Sequence, residues 1–335
     1  MQTTYLQAIH TPLIIKEVPT PKPGPGQVLI RLSHSSLNHR DVWIQQGQYA
    51  GLKADLILGS DGCGTVAETG SGVDAEWIGK EVIINPGQNW GPDPRASARD
   101  FKILGNPDPG TFAEYVVTDA RYIYTKPAHL SSAEAAAIPL GGLTTYRAVF
   151  TKAQVRAGEK VLITGIGAGT ALIAFRFAQA AGAEVYVTSG SPEKLEKARA
   201  LGAKGGYNYK DATWYSQAKD ETRGGFDVII DSASGKGFGS LVEAAKAGGR
   251  IAFFGGTDGT IGNLVPAKIF WRNLSILGTT MGTEQEFEAM LAFTEKHGIK
   301  PVIDTIYPSL HQAQEAFDYM ASGKQFGKIV LTNGI

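Results

Sequence analysis

The sequence predicts an α/β protein in which an antiparallel, barrel-like β domain accompanies a doubly wound parallel sheet. Three observations predict it. Over residues 1–125, short β-rich runs (QVLIRLSHSSL, ILGSDGCGTVAETG, KEVIINPG, GTFAEYVVTD, RYIYTKP) follow one another across turn residues with no helix between them. From about residue 126, strands alternate with helices of roughly ten to fifteen residues, the rhythm of a parallel sheet covered on both faces. The length, 335 residues, suits two domains at about 100–200 residues each. A chain of this size buries about three quarters of its unfolded surface, so no disulfide or metal staple is needed to hold it.

The elements follow in order. TPKPGPGQ is a Pro/Gly turn feeding the first long strand, QVLIRLSHSSL. After the β-rich runs, HLSSAEAAAIPLGGLTTYRAVFTKA reads as helix, VLITGIG as a buried strand and GTALIAFRFAQAAG as an apolar helix. A strand over Ala183–Ser189 leads to a helix over Pro192–Leu201, with Ser191 as N-cap, Pro192 in the first turn and Gly202 just past the end. FDVIIDSAS and RIAFFGG are further strands. The helices TEQEFEAMLAFTEKHG and LHQAQEAFDYMASG come next, before a last strand, KIVL.

Composition removes several function classes. Lys and Arg number 32, as do Asp and Glu, which argues against a polyanion-binding surface over the whole molecule while leaving a local basic pocket open. The single cysteine, Cys63, excludes an intramolecular disulfide and a cysteine-rich zinc site. Glycine stands at 42 of 335 residues, well above the usual share of about 7%. It is scattered among Val, Ile and Ala, so these glycines belong to loops rather than to a repeat. The first twenty residues have no basic start followed by an apolar run, so no signal peptide is expected. The uncharged stretch Val161–Phe175 is interrupted by glycines and falls short of the roughly 18–20 residues of a membrane span. A cytoplasmic protein with no membrane partner is the expectation.

VLITGIGAGTALIAF carries the most chemistry. An apolar strand, Val161–Thr164, runs into Gly165, Gly167 and Gly169 and then into a helix. Glycines there let backbone N–H groups approach a pyrophosphate, whose charge a helix N-terminus favours. The strict G-x-G-x-x-G spacing fails at Thr170, and Ala171 offers the small residue instead. The βαβ context selects a nucleotide loop over a plain tight turn, and Gly167, Ala168, Gly169 and Thr170 are the candidate contacts. An acidic residue about 20 positions after the loop would hold the ribose hydroxyls of NAD. Here Thr188-Ser189-Gly190-Ser191 and then Lys194 occupy that place, with no carboxylate to repel a 2′-phosphate. Ser189, Ser191 and Lys194 therefore favour NADP(H). The competing reading leaves Ser191 a simple helix cap and Lys194 a solvated surface residue.

Taken together, GQVLIRL, SLNHRDVWIQQGQY, LGSDGCGTV, GTFAEYV, PLGGLTTYRAV, VLITGIGAGTALIAF, EKLEKARALGA, FDVIIDSASG and FGKIVL resemble the medium-chain dehydrogenase/reductase superfamily over nearly the whole chain. The resemblance implies a GroES-like β-barrel catalytic domain over 1–125 and 266–335, with a Rossmann domain inserted over 126–265. It also implies a nicotinamide held in the cleft between them. Zinc alcohol dehydrogenases of that superfamily ligate a catalytic zinc with a Cys, a His and a second Cys or Asp. The matching positions here are Asn38, Ser60 and Leu140, which do not form a zinc site. His39, Asp41 and Asp61 lie close by in sequence and keep another metal geometry open. The lobe NPGQNWGPDPRASARDFKILG, where a structural zinc is common in the superfamily, holds no cysteine.

What remains is similar to the zinc-free quinone oxidoreductase branch. That resemblance implies that Asn38, Asp41 and Tyr49 line the substrate pocket and that Thr144 lies beside the nicotinamide. It further implies cofactor contacts at Tyr209, at Gly255 and Gly256, and at Lys328. Structural alternatives stand beside these roles: Asp41 bracing a helix, Asn38 bonding backbone, Tyr49 packing. Without a Lewis acid, hydride transfer suits acceptors that are already electron-poor, such as quinones and α,β-unsaturated carbonyls. The expected activity is therefore NADPH-dependent reduction of such a small molecule. A zinc-type alcohol dehydrogenase-like enzyme and a non-catalytic NADP(H)-binding protein are the alternatives. The resemblance also implies a homodimer, whereas balanced charge and the lack of a dense Lys/Arg block argue against nucleic acid as a partner.

Overall fold

The computed structural model describes residues 1–49, 51, 55–262 and 264–334. Two compact units divide the chain, Met1–Leu143 with Gly282–Ile335, and Thr144–Met281. These boundaries lie some way C-terminal to the sequence-based ones at 125/126 and 265/266. A mainly antiparallel β unit and the parallel sheet expected from the sequence are both present.

In the first unit Gln27–Ser36 is the organising strand. It pairs antiparallel with Asp61–Thr69, with Tyr115–Asp119 along its first half, and with the chain-terminal strand Lys328–Thr332 along its second. Glu81–Ile84, Ile123–Thr125 and Ile303–Tyr307 complete a seven-stranded sheet. Val28, Ile30 and Leu32 alternate along Gln27–Ser36 and pack with Val66, Val82, Ile84, Val116 and Ile123 in one core. The far end of the unit has a second core, in which Leu37, Val42, Phe112, Phe317, Ile329 and Leu331 meet. The wholly buried Ile329 and Leu331 pin the last strand there, and the equally buried Val330 packs with Ala133 and Ala137. Their burial explains why a strand more than 290 residues away in sequence returns to Ser36.

The second unit holds six parallel strands: β1 (Lys160–Ile163), β2 (Glu184–Ser189), β3 (Gly205–Asn208), β4 (Phe226–Asp231), β5 (Ala245–Phe253) and β6 (Ser275–Gly278). Their spatial order is β3-β2-β1-β4-β5-β6, so the winding reverses between β1 and β4. Ligands of such sheets bind outside the carboxyl ends of the strands at that reversal. The helix Gly169–Ala180 follows β1, and the helix Pro192–Ala200 follows β2, capped by Ser191 as the sequence predicts. Phe226, Ile229, Phe238 and Ile251 fill the core between sheet and helices.

Candidate active site

Strand register assembles the site of the first unit. Ser36 faces Val330 on one side and Asp61 on the other. Asn38 and Lys328, each two positions from this row, are thereby brought to Asp61 although 290 residues separate them. Asn38 is the N-cap of the helix His39–Gln45, and its backbone N–H donates to Asp41 Oδ2 at 2.8 Å. The Lys328 ammonium donates to Leu37 O at 2.9 Å, Asn38 Oδ1 at 2.8 Å and Asp61 Oδ2 at 3.3 Å. Asn38 Nδ2 in turn donates to Asp61 Oδ2 at 2.9 Å, and the Leu140 backbone N–H donates to Asp61 Oδ1 at 2.7 Å. Asn38, Asp61 and Lys328 are all buried.

Arg40, also buried, ties this cluster to Tyr49. Its guanidinium donates to Ser60 Oγ at 2.5 Å and Leu104 O at 3.0 Å, and its Nε lies 3.4 Å from the Tyr49 hydroxyl. Its carbon sits 5.0 Å from the centre of the Tyr49 ring, a cation–π contact. Ser60 gives its own proton to Leu104 O at 2.7 Å. Beside Asn38, burial and then the Lys328 charge hold the His39 imidazole below its ordinary range, so it stays neutral at pH 7.

Asp41 has no exposed surface, and its Oδ1 has no hydrogen-bond partner. Desolvation pushes its carboxyl up to about 6, against the opposing pull of Arg40. A carboxyl that titrates higher folded than unfolded stabilises the fold in its protonated form, so this contribution is lost as pH rises through about 6. Asp41→Asn keeps an acceptor for the cap and removes the buried charge. It is expected to raise stability at pH 8 by up to about 3 kcal/mol and to bring little at pH 4. Urea unfolding of both proteins at the two pH values checks this.

These side chains do not make a zinc site. The residues at the ligand positions offer an amide, a hydroxyl and an aliphatic side chain. The Asn38 oxygen already accepts from an ammonium, and the Ser60 oxygen from a guanidinium. Among the described residues no three His, Cys, Asp or Glu side chains gather as a metal set.

The second unit carries the glycine loop. Gly165 has φ +62° and Gly167 φ +128°, backbone conformations that favour glycine. The Gly165 N–H donates to Thr188 Oγ1 at 3.2 Å and the Ile166 N–H to Thr188 O at 2.8 Å, which fastens the loop to the end of β2. A Cβ at Gly167 would lie 2.7 Å from Lys194 Cδ and 3.1 Å from its Nζ, so the ammonium rests directly against the loop. The first-turn N–H groups of Gly169–Ala180 have no partner inside their helix and face the same end of the sheet.

A cradle forms beyond β2. A Cβ at Gly190 would come within 2.8 Å of both the Tyr209 hydroxyl and Lys210 Cε. Ser189 Oγ accepts from the Ser191 N–H at 3.1 Å, and Ser191 Oγ accepts from the Lys194 N–H at 3.4 Å. Each hydroxyl keeps its proton to donate. Ser189, Ser191, Lys194 and Tyr209, chosen from sequence, are therefore brought together, and Lys210 joins them. A dinucleotide fits here, with the glycine loop and the helix terminus suited to its pyrophosphate.

Other candidates are placed elsewhere. The Thr144 hydroxyl is buried and donates to the Met281 sulfur at 3.6 Å. Gly255, with φ +79°, follows β5 and accepts from Ser234 Oγ at 3.0 Å, and Gly256 follows it. Lys328, a cofactor candidate from the resemblance, lies in the first unit, where its ammonium donates to Leu37 O, Asn38 Oδ1 and Asp61 Oδ2. Asp231 was not among the sequence candidates. It ends β4 at the winding reversal, accepting from Thr164 Oγ1 at 2.5 Å and from the Ser234 N–H at 2.8 Å. Its only sequence signal is an acidic residue closing the apolar run FDVII.

Comparison with known proteins places this architecture. Residues 24–128 match the family "Alcohol dehydrogenase GroES-like domain", and residues 169–296 match "Zinc-binding dehydrogenase". The zinc-type alcohol dehydrogenase-like protein YogA of Leptosphaeria maculans is 36% identical, over 96% of this chain and 95% of its own length. The quinone oxidoreductase of Rattus norvegicus is 29% identical, over 94% of this chain and 92% of its own. A solved NAD-dependent alcohol dehydrogenase superposes with a TM-score of 0.94 at 37% identity, covering 100% of both chains. With both domain types matched in order and relatives aligned over nearly their full lengths, the chain belongs to the medium-chain dehydrogenase/reductase superfamily of oxidoreductases.

Proposed function

We propose that this protein is an NADPH-dependent, zinc-independent reductase of quinones or α,β-unsaturated carbonyls. The observation that carries the reading is the Asn38–Asp61–Lys328 cluster: the Asn38 side chain, at a zinc-ligand position, is bonded to Asp61 and Lys328, and neither it nor Ser60 nor Leu140 brings a thiolate or an imidazole. Lacking a Lewis acid, such a site has no strong means of polarising an unactivated alcohol or ketone. It suits acceptors whose reduction needs only positioning and a donor for the developing oxyanion. Bound NADPH supplies the hydride. The Asn38 amide keeps one N–H beyond its bond to Asp61 and gives it to the acceptor oxygen. The Tyr49 hydroxyl, accepting from Arg40, retains its own proton as a second donor. The net change is a two-electron reduction: acceptor, NADPH and one proton yield the dihydro product and NADP⁺. Asp41 orients the helix entrance through its bond to the Asn38 backbone and takes no direct part.

NADP(H) over NAD(H) is supported by the carboxylate-free end of β2 and the Lys194–Lys210 pair beside it. The NAD-dependent dehydrogenase of similar fold keeps the opposite preference in play. A homodimer is supported by β6, the last strand in the sheet order, and by the exposed Phe270 and Trp271 that precede it. Trp271→Glu is expected to convert the dimer to monomer in sedimentation equilibrium, and a wild-type monomer would refute the dimer.

The deciding experiment follows NADPH oxidation by the purified protein against simple quinones and enones, with EDTA present and NADH in parallel. Turnover that survives the chelator and prefers NADPH is the expected result. Loss of activity to the chelator would favour the zinc-type alcohol dehydrogenase-like alternative. Tight NADPH binding with no turnover across a broad panel would favour a non-catalytic NADP(H)-binding protein.

A further inference from the structure

We propose that Lys328 is a positioning residue: its buried ammonium locks the Asn38 amide in one orientation and stands against Asp61 as the cation of a site that has no metal. The proposal rests on the proposed reductase function, in which Asn38 meets the acceptor.

An ammonium has three protons and no acceptor, and a carboxylate has acceptors and no proton. Lys328 places its three protons on Leu37 O, Asn38 Oδ1 and Asp61 Oδ2. Asn38 is thus gripped from both ends. Its oxygen must face the ammonium, because an amide N–H there would meet another donor. Its nitrogen must face Asp61, because an amide oxygen there would meet a carboxylate. Flipping the amide would replace two attractive contacts with two repulsive ones. One Nδ2 proton is used by Asp61, and the other is held in a fixed direction for an acceptor oxygen.

The side chains of Lys328 and Asp61 are 4% and 0% exposed. At that depth each charge is tolerable only with the other in place. Asp61 also receives the backbone N–H of Leu140, so two of the positions that carry zinc ligands in metal-dependent relatives, 38 and 140, converge on this carboxylate, and the third, Ser60, precedes it in the chain. The anionic centre that could have served a metal is satisfied from within.

Two measurements test the inference. The first is a kinetic cycle with Lys328→Met, which keeps the stem and removes the charge. The expected result is a kcat lower by about 100-fold, the loss that follows about 1 Å of misplacement, with the KM for NADPH within twofold of wild type. Because Lys328 acts through Asn38, Lys328→Met added to Asn38→Ala should cost less than threefold more. Equal, multiplying losses in the two variants would overturn the positioning role, and a large rise in the KM for NADPH would make Lys328 a cofactor contact instead. In Lys328→Ala, propylammonium should restore part of the turnover and propanol none.

The second measurement needs no activity. The Asn38 side-chain amide pair in ¹⁵N spectra, identified by its loss in Asn38→Ala, should be protected from exchange in wild type. It should shift and exchange in Lys328→Met, and stay unmoved in the surface variant Lys324→Met. An amide pair indifferent to Lys328→Met would overturn the lock even if wild type turns over no acceptor. Wild-type inactivity with a shifted pair would instead refute the proposed reaction and leave the lock standing.

Discussion

Asn38→Ala is expected to lower kcat/KM for a quinone or enone by about 10²–10³-fold, the usual cost of losing one donor to a developing oxyanion. The amide is held by Lys328 and Asp61 before any acceptor arrives, so it stabilises charge without reorganising at the moment of reaction. Direct titration should show NADPH affinity changed by less than about threefold, since the residues gathered for the cofactor lie in the other unit. Part of the effect of Asn38→Ala is structural: two buried charges lose a shared neighbour. A melting curve therefore accompanies the kinetics, and the loss should persist at temperatures where the variant is fully folded. A drop of less than about threefold would remove Asn38 from the reaction.

Lys194→Ala should weaken NADPH binding by about 10–100-fold, equivalent to one lost charge-assisted hydrogen bond. NADH binding should move by no more than about threefold. The reason is local: Lys194 is held against the glycine loop at Gly167, and Ser191 caps its helix, so the ammonium is placed before a phosphate arrives. Lys210→Ala should show the same selectivity with a smaller loss, because Lys210 follows the half-exposed Tyr209 at the open end of the cradle. Fluorescence titrations of both coenzymes, at low salt and at 0.5 M salt, measure this. Equal losses for NADPH and NADH in Lys194→Ala would mean that the side chain serves the shared pyrophosphate rather than a 2′-phosphate.

The candidate cofactor site was legible in sequence because its parts are local. The loop Gly165–Thr170, the end of β2 and the cap of the next helix span fewer than thirty residues. Their spacing is set by turn geometry and helix capping, which a linear sequence displays. Tyr209 is marked by the resemblance alone, and its neighbour Lys210 carries no signal in the sequence. Nothing in YNYKD says that Gly190 leaves room for both side chains; that emerges only when β3 is laid beside β2.

The first unit divides differently. Sequence by itself determined that Asn38, Ser60 and Leu140 bring no thiolate, imidazole or carboxylate, because ligand chemistry is a property of residue type. It also determined the β-rich runs and the helix entrance at Asn38-His39-Arg40-Asp41. Only the tertiary structure decided what those residues do instead. Lys328 lies 290 positions from Asn38 and 267 from Asp61, and the pairing of the last strand with Gln27–Ser36 is what carries it there. That pairing is driven by the burial of Ile329, Val330 and Leu331, a hydrophobic choice that says nothing about the charge at its first position. Charges separated by this much chain meet through register, and register is a property of the folded sheet.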